Sequence, residues 1–387
     1  MLDLSANWNY PTNIRTGTGR VKELPDLCKQ MAIQSPLLIT DPGLAGLPMI
    51  KRVMDNLKAA GLGAGIFSAI KTNPSGENVE AGVSFYHTKR HDGVIAFGGG
   101  SALDAAKAVA LMVGQDRPLW DFEDIGDNWT RVNVNGMAPV IALPTTAGTG
   151  SEVGRASVIT DQANHIKKII FHPAMLPSQV ILDPELTVDL PPSLTAATGM
   201  DALSHNLEAL CSPFYHPLAE GIAIEGIRLV YHYLPRAVAD GHDIEARSQM
   251  QVCSSMGATA FQKGLGAMHA LAHPLGALYD AHHGTLNAIL MPYVLNANRT
   301  AIESKITRLS RYLGLEKADF NGFLEWVVEL RARLGIPATL AEIGIDDTDS
   351  ATVGNMAVAD PSAGGNPLSY SSAEYQRLFR DAVAGRL

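Results

Sequence analysis

Asp92-Gly-Val-Ile-Ala-Phe-Gly-Gly-Gly-Ser-Ala-Leu-Asp-Ala-Ala-Lys107 is a short apolar run that breaks on three glycines and resumes as an alanine-rich segment. A run of that length bounded by glycine fits a buried strand, and Ala102 to Val113 suits a helix. The same change of texture recurs on either side. Ser35-Pro-Leu-Leu-Ile-Thr40 is apolar, stops at Asp41-Pro-Gly, and is followed by an amphipathic stretch from Pro48 to Ala60. Pro139-Val-Ile-Ala-Leu143 and Gln179-Val-Ile-Leu182 read as further buried strands. Strands alternating with helices predict an α/β domain, a parallel sheet covered by helices.

Near Leu190-Pro-Pro-Ser193 the pattern changes. Thr195 to Leu210, Pro217 to Leu234, Ile244 to Gln262 and Ala318 to Leu334 carry helical periodicity, and strand-like runs almost vanish. The expected organisation is an α/β domain over residues 1–190 and an all-α domain over 191–387. Asp360 to Ser372, rich in Gly, Pro and Ser, should be an irregular loop before a last helix. There is no internal repeat and no low-complexity tract.

Composition narrows the function. The 387 residues suffice for two cores, with 46% hydrophobic and 18% charged residues, the balance of a soluble globular protein. A net charge of −9 argues against nucleic acid as a partner, because phosphate binding needs a basic face. No run reaches the roughly 18 apolar residues of a membrane span. Met1 to Pro11 lacks the basic start and apolar run of a signal peptide. Cys28, Cys211 and Cys253 are few, odd in number and widely spaced, without zinc-finger or redox spacing, so a cytoplasmic location is expected.

Gly98, Gly99, Gly100 and Ser101 sit where strand should give way to helix. Glycines let backbone approach an anion, and a helix N-terminus offers unpaired N–H groups and a favourable dipole. Ser101 and Asp104 fit a capping box with Ser101 as N-cap. A tight turn before a capped helix would need the same residues, and the pattern is not Gly-x-Gly-x-x-Gly. Asp41, closing the earlier strand, can accept hydrogen bonds from an adenosine ribose and would repel a 2′-phosphate, favouring NAD over NADP. Taken alone it is equally a turn-starting residue. Leu143-Pro-Thr-Thr-Ala-Gly-Thr-Gly-Ser-Glu152 is a second small-residue loop, able to line a nucleotide or to be an ordinary polar loop.

In the helical half, Asp201 and His205 stand four apart, on one helix face. His269 and His273 repeat that spacing, and His282-His283-Gly284 follows. Each alone reads as a solvated or hydrogen-bonded side chain. Together, in apolar small-residue segments, they point to a metal. One carboxylate with imidazoles suits Zn²⁺ or Fe²⁺ and leaves the choice open.

The segments Gly-Gly-Gly-Ser-Ala-Leu-Asp-Ala-Ala-Lys107, Pro-Thr-Thr-Ala-Gly-Thr-Gly-Ser-Glu152, Gly-Met-Asp-Ala-Leu-Ser-His205 and His-Ala-Leu-Ala-His-Pro-Leu-Gly276 with His283-Gly284 resemble the iron-containing (group III) alcohol dehydrogenases, in order and spacing over nearly the whole chain. The resemblance implies a nucleotide domain related to that of dehydroquinate synthase, a helical metal domain, and an active site in the cleft between them. It implies metal ligands at Asp201, His205, His269 and His283. The fourteen-residue step from His269 selects His283 over His282. His273 matches a cleft histidine that does not bind the metal, a candidate proton relay or a packing residue. Cofactor contacts fall on Asp41, Asn73, Gly100 to Asp104, Thr145, Thr146, Thr149 and Lys167. Lys167 is preferred to Lys168 because it lies six residues before Pro173. A dimer is implied as well. With all four ligand positions filled, the chain should not be a metal-free relative such as maleylacetate reductase.

The implied chemistry is hydride transfer between NAD(H) and a small alcohol or aldehyde, with the cation as Lewis acid. Dehydroquinate synthase itself would need Lys and Arg around the metal, and segments 199–208 and 266–284 hold none. A zincin-type hydrolase would need a Glu directly after its first ligand histidine, which neither pair supplies. A non-catalytic metal binder leaves the glycine loop and Asp41 unexplained. Arg155, just past the second loop, is read as pairing with a surface carboxylate rather than with an acidic substrate.

Overall fold

The computed structural model describes residues 12–164 and 166–387. The segment Met1 to Pro11, with the reading made of it, lies outside the described residues. The chain forms two compact units, one ending at Asp189 and the other comprising Leu190–Leu387.

The first unit is built on a six-stranded sheet. Its strands are β1 (Asn13–Thr16), β2 (Pro36–Ile39), β3 (Gly65–Phe67), β4 (Gly93–Gly98), β5 (Val140–Pro144) and β8 (Gln179–Leu182), in the order β1-β8-β5-β4-β2-β3. All five pairings are parallel. Every residue of β2, β4 and β5 is buried, as continuous apolar runs require when helices cover both faces. Helices α1 (Leu24–Gln30) and α3 (Pro48–Ala59) pack with Leu38, Ile95 and Ile141 on one face, after the single turn α2 (Pro42–Ala45). Helices α4 (Gly76–Thr88) and α5 (Gly100–Met112) pack with Val94, Ala96 and Ala142 on the other. The alanines of α5 let it lie close to the sheet, and Ala105, Ala106 and Ala108 are fully buried.

The sequence pattern did not reveal an antiparallel ribbon, β6 (Ala156–Asp161) and β7 (Ile166–Phe171). Only alternate residues of β6 are buried, so it presents no continuous apolar run. The Asp161 carboxylate closes its turn by accepting from the Ala163 and Asn164 amides.

A second correction concerns the start of α5. The helix begins at Gly100 with Gly99 as N-cap and no side-chain cap, so Ser101 is not the cap. Ser101 Oγ instead donates to the Thr72 carbonyl, tying in the loop after β3. Gly98 takes φ +146°, open to glycine alone, and a Cβ there would meet the Ala102 methyl at 2.8 Å. The chain therefore turns into the helix earlier than a serine cap would allow.

The second unit is helical throughout its regular structure: α6 (Pro192–Cys211), α7 (Pro217–Ala239), α8 (Ile244–Ala260), α9 (Ala267–Tyr279), α10 (His283–Ala297), α11 (Arg299–Leu313), α12 (Phe320–Arg333), α13 (Ser350–Ala359) and α14 (Ser372–Ala384). Nearly all of α6 is buried, packed by α7, α8 and α10. The loop after Asp360 holds a 3-10 turn, Pro361–Gly365, and Ser371 then caps α14 in a capping box with Glu374.

Candidate metal centre and nucleotide loop

Three helices of the second unit converge on one polar cluster. Asp201 and His205 come from one face of α6, and His269 from the first turn of α9. Their ligand atoms all lie within 4.8 Å of one another, and all three residues are buried. His283, the first residue of α10, joins through Nε2, 3.6 Å from Asp201 Oδ1. The close approach of α10 to α6 depends on Gly284, where a Cβ would sit 2.3 Å from the Ala197 carbonyl oxygen. The imidazoles of His205 and His269 stack at 4.8 Å between centroids, and those of His269 and His283 lie 5.2 Å apart.

The electrostatics suit a cation. Burial would raise the Asp201 carboxyl, but the imidazoles of His205, His283 and His269 and the Asn287 amide outweigh it and hold it at about 2. Burial, and then the neighbouring His205, pushes His269 well below the usual imidazole range, so it is neutral with a lone pair to give. A buried carboxylate facing three imidazoles is the donor set of a tetrahedral zinc or iron site, so the residues fit such an ion.

Two further residues touch the cluster and escaped the sequence reading. Asn287, one turn after His283, donates from Nδ2 to Asp201 Oδ1 at 2.9 Å and lies 3.1 Å from His283 Nε2 and 3.2 Å from His269 Nε2. Glu208, three residues after His205, lies 2.7 Å from His269 Nδ1. Both stand at helical spacing from candidate ligands, which is the signal that would have found them. Burial pushes Glu208 up to about 7, against the downward pull of its bonds from the Gly266 and Met268 amides.

His273 stacks on His283 at 5.5 Å, and its Nδ1 lies 2.8 Å from Asp360 Oδ2. It is partly exposed, whereas His282 caps α10, its Nδ1 accepting from the Thr285 amide at 3.4 Å.

In the first unit, the loop from Gly98 to Ser101 opens α5. Cβ atoms built on Gly99 and Gly100 would meet Thr146 Cγ2 at 3.3 Å and Thr149 Cγ2 at 2.5 Å, so the two small-residue loops lie side by side. The Thr145 amide donates to the Gly98 carbonyl. With no side chain capping the helix, its first amides are available to an anion. Asp41 is the N-cap of α2, accepting from the Leu44 amide at 3.0 Å through Oδ1, and its Oδ2 lies 3.6 Å from the Cβ position of Gly98. Asp104 meets protein through both oxygens: Oδ1 takes Ser151 Oγ at 2.5 Å and the Lys107 ammonium at 3.2 Å, and Oδ2 takes the Val158 amide at 2.9 Å. Asn73 follows Thr72, whose carbonyl Ser101 binds, and the next carbonyl, Pro74, accepts from the Thr160 amide. Thr160 is the strand partner of Lys167. Lys168 is committed elsewhere, to Glu123 at 3.2 Å, Asp161 at 3.3 Å and the Trp120 ring. Arg155 lies over the Phe171 ring, and its charge acts on the Asp124 carboxyl.

Family models match both units. Iron-containing alcohol dehydrogenase matches residues 11–184, and Fe-containing alcohol dehydrogenase family, C-terminal, matches residues 195–383. The chain is 37% identical to the 4-hydroxybutyrate dehydrogenase of Cupriavidus necator, over 97% of this chain and 99% of that one. It is 33% identical to the NAD-dependent methanol dehydrogenase of Bacillus methanolicus, over 97% and 100%. A solved 1,3-propanediol oxidoreductase superposes with a TM-score of 0.93 at 32% identity, over 97% of this chain and 100% of that one. The chain belongs to the iron-containing alcohol dehydrogenase family. Its chemistry is accordingly that of an oxidoreductase acting on alcohols and aldehydes.

Proposed function

We propose that the chain transfers hydride between NAD(H) and a short primary alcohol or its aldehyde, using one divalent cation held by Asp201, His205, His269 and His283. The single observation that carries this reading is the buried meeting of Asp201, His205 and His269, joined by His283. When bound, the cation supplies Lewis acidity to the substrate oxygen and the nicotinamide supplies or takes the hydride.

The chain's own residues do the rest. Asp201 stays ionised and gives the site its charge. His269, neutral at working pH, offers a lone pair. Asn287 holds Asp201 in place through its amide nitrogen, which also lies beside Nε2 of His269 and of His283. His273, its Nδ1 taken by Asp360, keeps Nε2 to receive the alcohol proton and pass it to water.

We assign residues 1–190 to nucleotide binding and 191–387 to metal binding and catalysis. The amides of Gly98, Gly99, Gly100 and Ser101 take the pyrophosphate. Thr145, Thr146, Thr149, Asn73 and Lys167 line the nucleotide, and Asp41 takes the adenosine ribose. Asp104, which also braces α5, the second loop and β6 together, is the remaining cofactor contact. Iron and zinc both suit the ligand set. No described helix is long and apolar enough to cross a membrane. The three cysteines are free and buried, in keeping with a cytoplasmic enzyme. A homodimer acting on small molecules, without nucleic acid, completes the reading.

The test is NADH formation followed by absorbance with a panel of short alcohols, before and after exhaustive chelation with metal verified absent. Turnover that needs the metal is expected. Full activity in verified metal-free protein would contradict the reading.

A further inference from the structure

Glu208 is buried, and its carboxylate gathers three donors. Oε2 accepts the Gly266 amide at 2.8 Å and lies 2.7 Å from His269 Nδ1, while Oε1 accepts the Met268 amide at 2.7 Å. A histidine beside a carboxylate can carry its proton on either nitrogen, and the two tautomers differ completely as ligands. Only the form protonated at Nδ1 leaves a lone pair on Nε2.

The opposite side of the ring faces an amide. Asn287 Nδ2 lies 3.2 Å from His269 Nε2 and 2.9 Å from Asp201 Oδ1. An amide nitrogen only donates. Turning the amide over would press its oxygen against the Asp201 carboxylate, so the orientation is fixed. The Asn287 nitrogen has two protons for three neighbours, so the carboxylate decides. Its oxygens already accept the Gly266 and Met268 amides, it acts as an acceptor toward Nδ1 as well, and the ring proton sits on Nδ1, facing Glu208.

We propose that Glu208 is the positioning residue that fixes His269 as the Nδ1-protonated tautomer and aims its Nε2 at the cation. The inference rests on the metal-site reading above. The same carboxylate holds the first amides of α9, so the turn that carries His269 is pinned to α6, the helix that carries Asp201 and His205. Another amide of that turn is held separately: the Ala267 N–H donates to Asn366 Oδ1 at 3.1 Å. Asn366 thus supports the same helix start without touching a ligand.

Glu208→Gln tests the tautomer. A glutamine has one acceptor oxygen for three donors, so either His269 or a backbone amide loses its partner. Zinc affinity, measured by competition between zinc-loaded protein and a chromogenic chelator, should fall by about 10–100-fold, with the far-ultraviolet dichroism unchanged. Asn366→Ala should lower the melting temperature and leave zinc affinity as in the parent. An equal loss of affinity in Asn366→Ala would mean that helix capping alone explains the effect, and would overturn the inference. His269→Ala separates the two levels. If it holds zinc as tightly as the parent, the metal-site reading fails. If it loses zinc while Glu208→Gln retains parental affinity, only the role of Glu208 fails. Nitrogen NMR of isotope-labelled histidine in the metal-free parent decides the tautomer even should Glu208→Gln not fold. A proton on Nδ1 of His269 is expected, and one on Nε2 would overturn the inference.

Discussion

His273 Nδ1 and Asp360 Oδ2 lie 2.8 Å apart although 87 residues separate them in the chain. Burial would raise the Asp360 carboxyl, but the hydrogen bond and charge of His273, with the Ser362 amide, hold it below the usual range. The carboxylate is thus ionised and accepts from Nδ1. Asp360→Asn keeps the size of the side chain and loses the charge. It should lower kcat by about tenfold or more, since positioned proton transfer contributes roughly 10²–10⁴-fold, while leaving metal content unchanged. Steady-state kinetics with metal analysis checks this. An unchanged kcat would leave His273 as a packing residue.

Asp41 stands beside Gly98 with one carboxylate oxygen on the Leu44 amide and the other near the loop. A 2′-phosphate there would meet negative charge, so the parent should strongly prefer NAD. Asp41→Gly should raise the ratio of kcat/KM for NADP over NAD. A parent equally efficient with both cofactors would show that Asp41 has no such role.

His282 and His283 are neighbours with different surroundings. His283 reaches Asp201, whereas His282 caps α10. His283→Ala should lose most bound metal, beyond the roughly 10–100-fold weakening typical of residues behind the ligands. His282→Ala should keep its metal and change at most the substrate KM. Metal analysis of the two purified variants decides, and the reverse pattern would exchange the assignments.

His172 accepts the Ala174 amide on Nδ1 at 2.9 Å, and burial lowers its pKa from 6.5. A histidine depressed in the folded state binds its proton more readily when unfolded. Its stabilising effect is therefore complete above about pH 6.5 and is lost as pH falls toward the folded pKa. Asn at this position can accept the same amide without titrating. The melting temperature of His172→Asn should fall less than that of the parent between about pH 7 and about pH 5. Equal falls would contradict the assignment.

The parallel sheet was legible because β2, β4, β5 and most of β8 are short apolar runs bounded by turn residues, as strands covered on both faces require. The clustering of Asp201, His205, His269 and His283 was legible because the i, i+4 pair on α6 and the His269 and His283 segments stand out in apolar helices. The β6–β7 ribbon was not, since its polar residues alternate with apolar ones and it lies outside the main sheet. Ser101 misled because its hydroxyl serves a neighbouring loop, a tertiary contact that overrides local capping. Asp360 was out of reach, as nothing local links a residue in the Gly-Pro tail to His273. Asn287 and Glu208 were within reach of helical spacing, but amides and acids are common on helices and only their contacts single them out.

The central claim is that one cation sits among Asp201, His205, His269 and His283. Anomalous X-ray scattering at the absorption edge of the bound metal, from crystals of catalytically active protein, tests it most directly. One peak is expected, about 2.0–2.2 Å from an Asp201 oxygen and one nitrogen of each histidine. A peak that excludes any of these four, or no peak in active crystals, would contradict it.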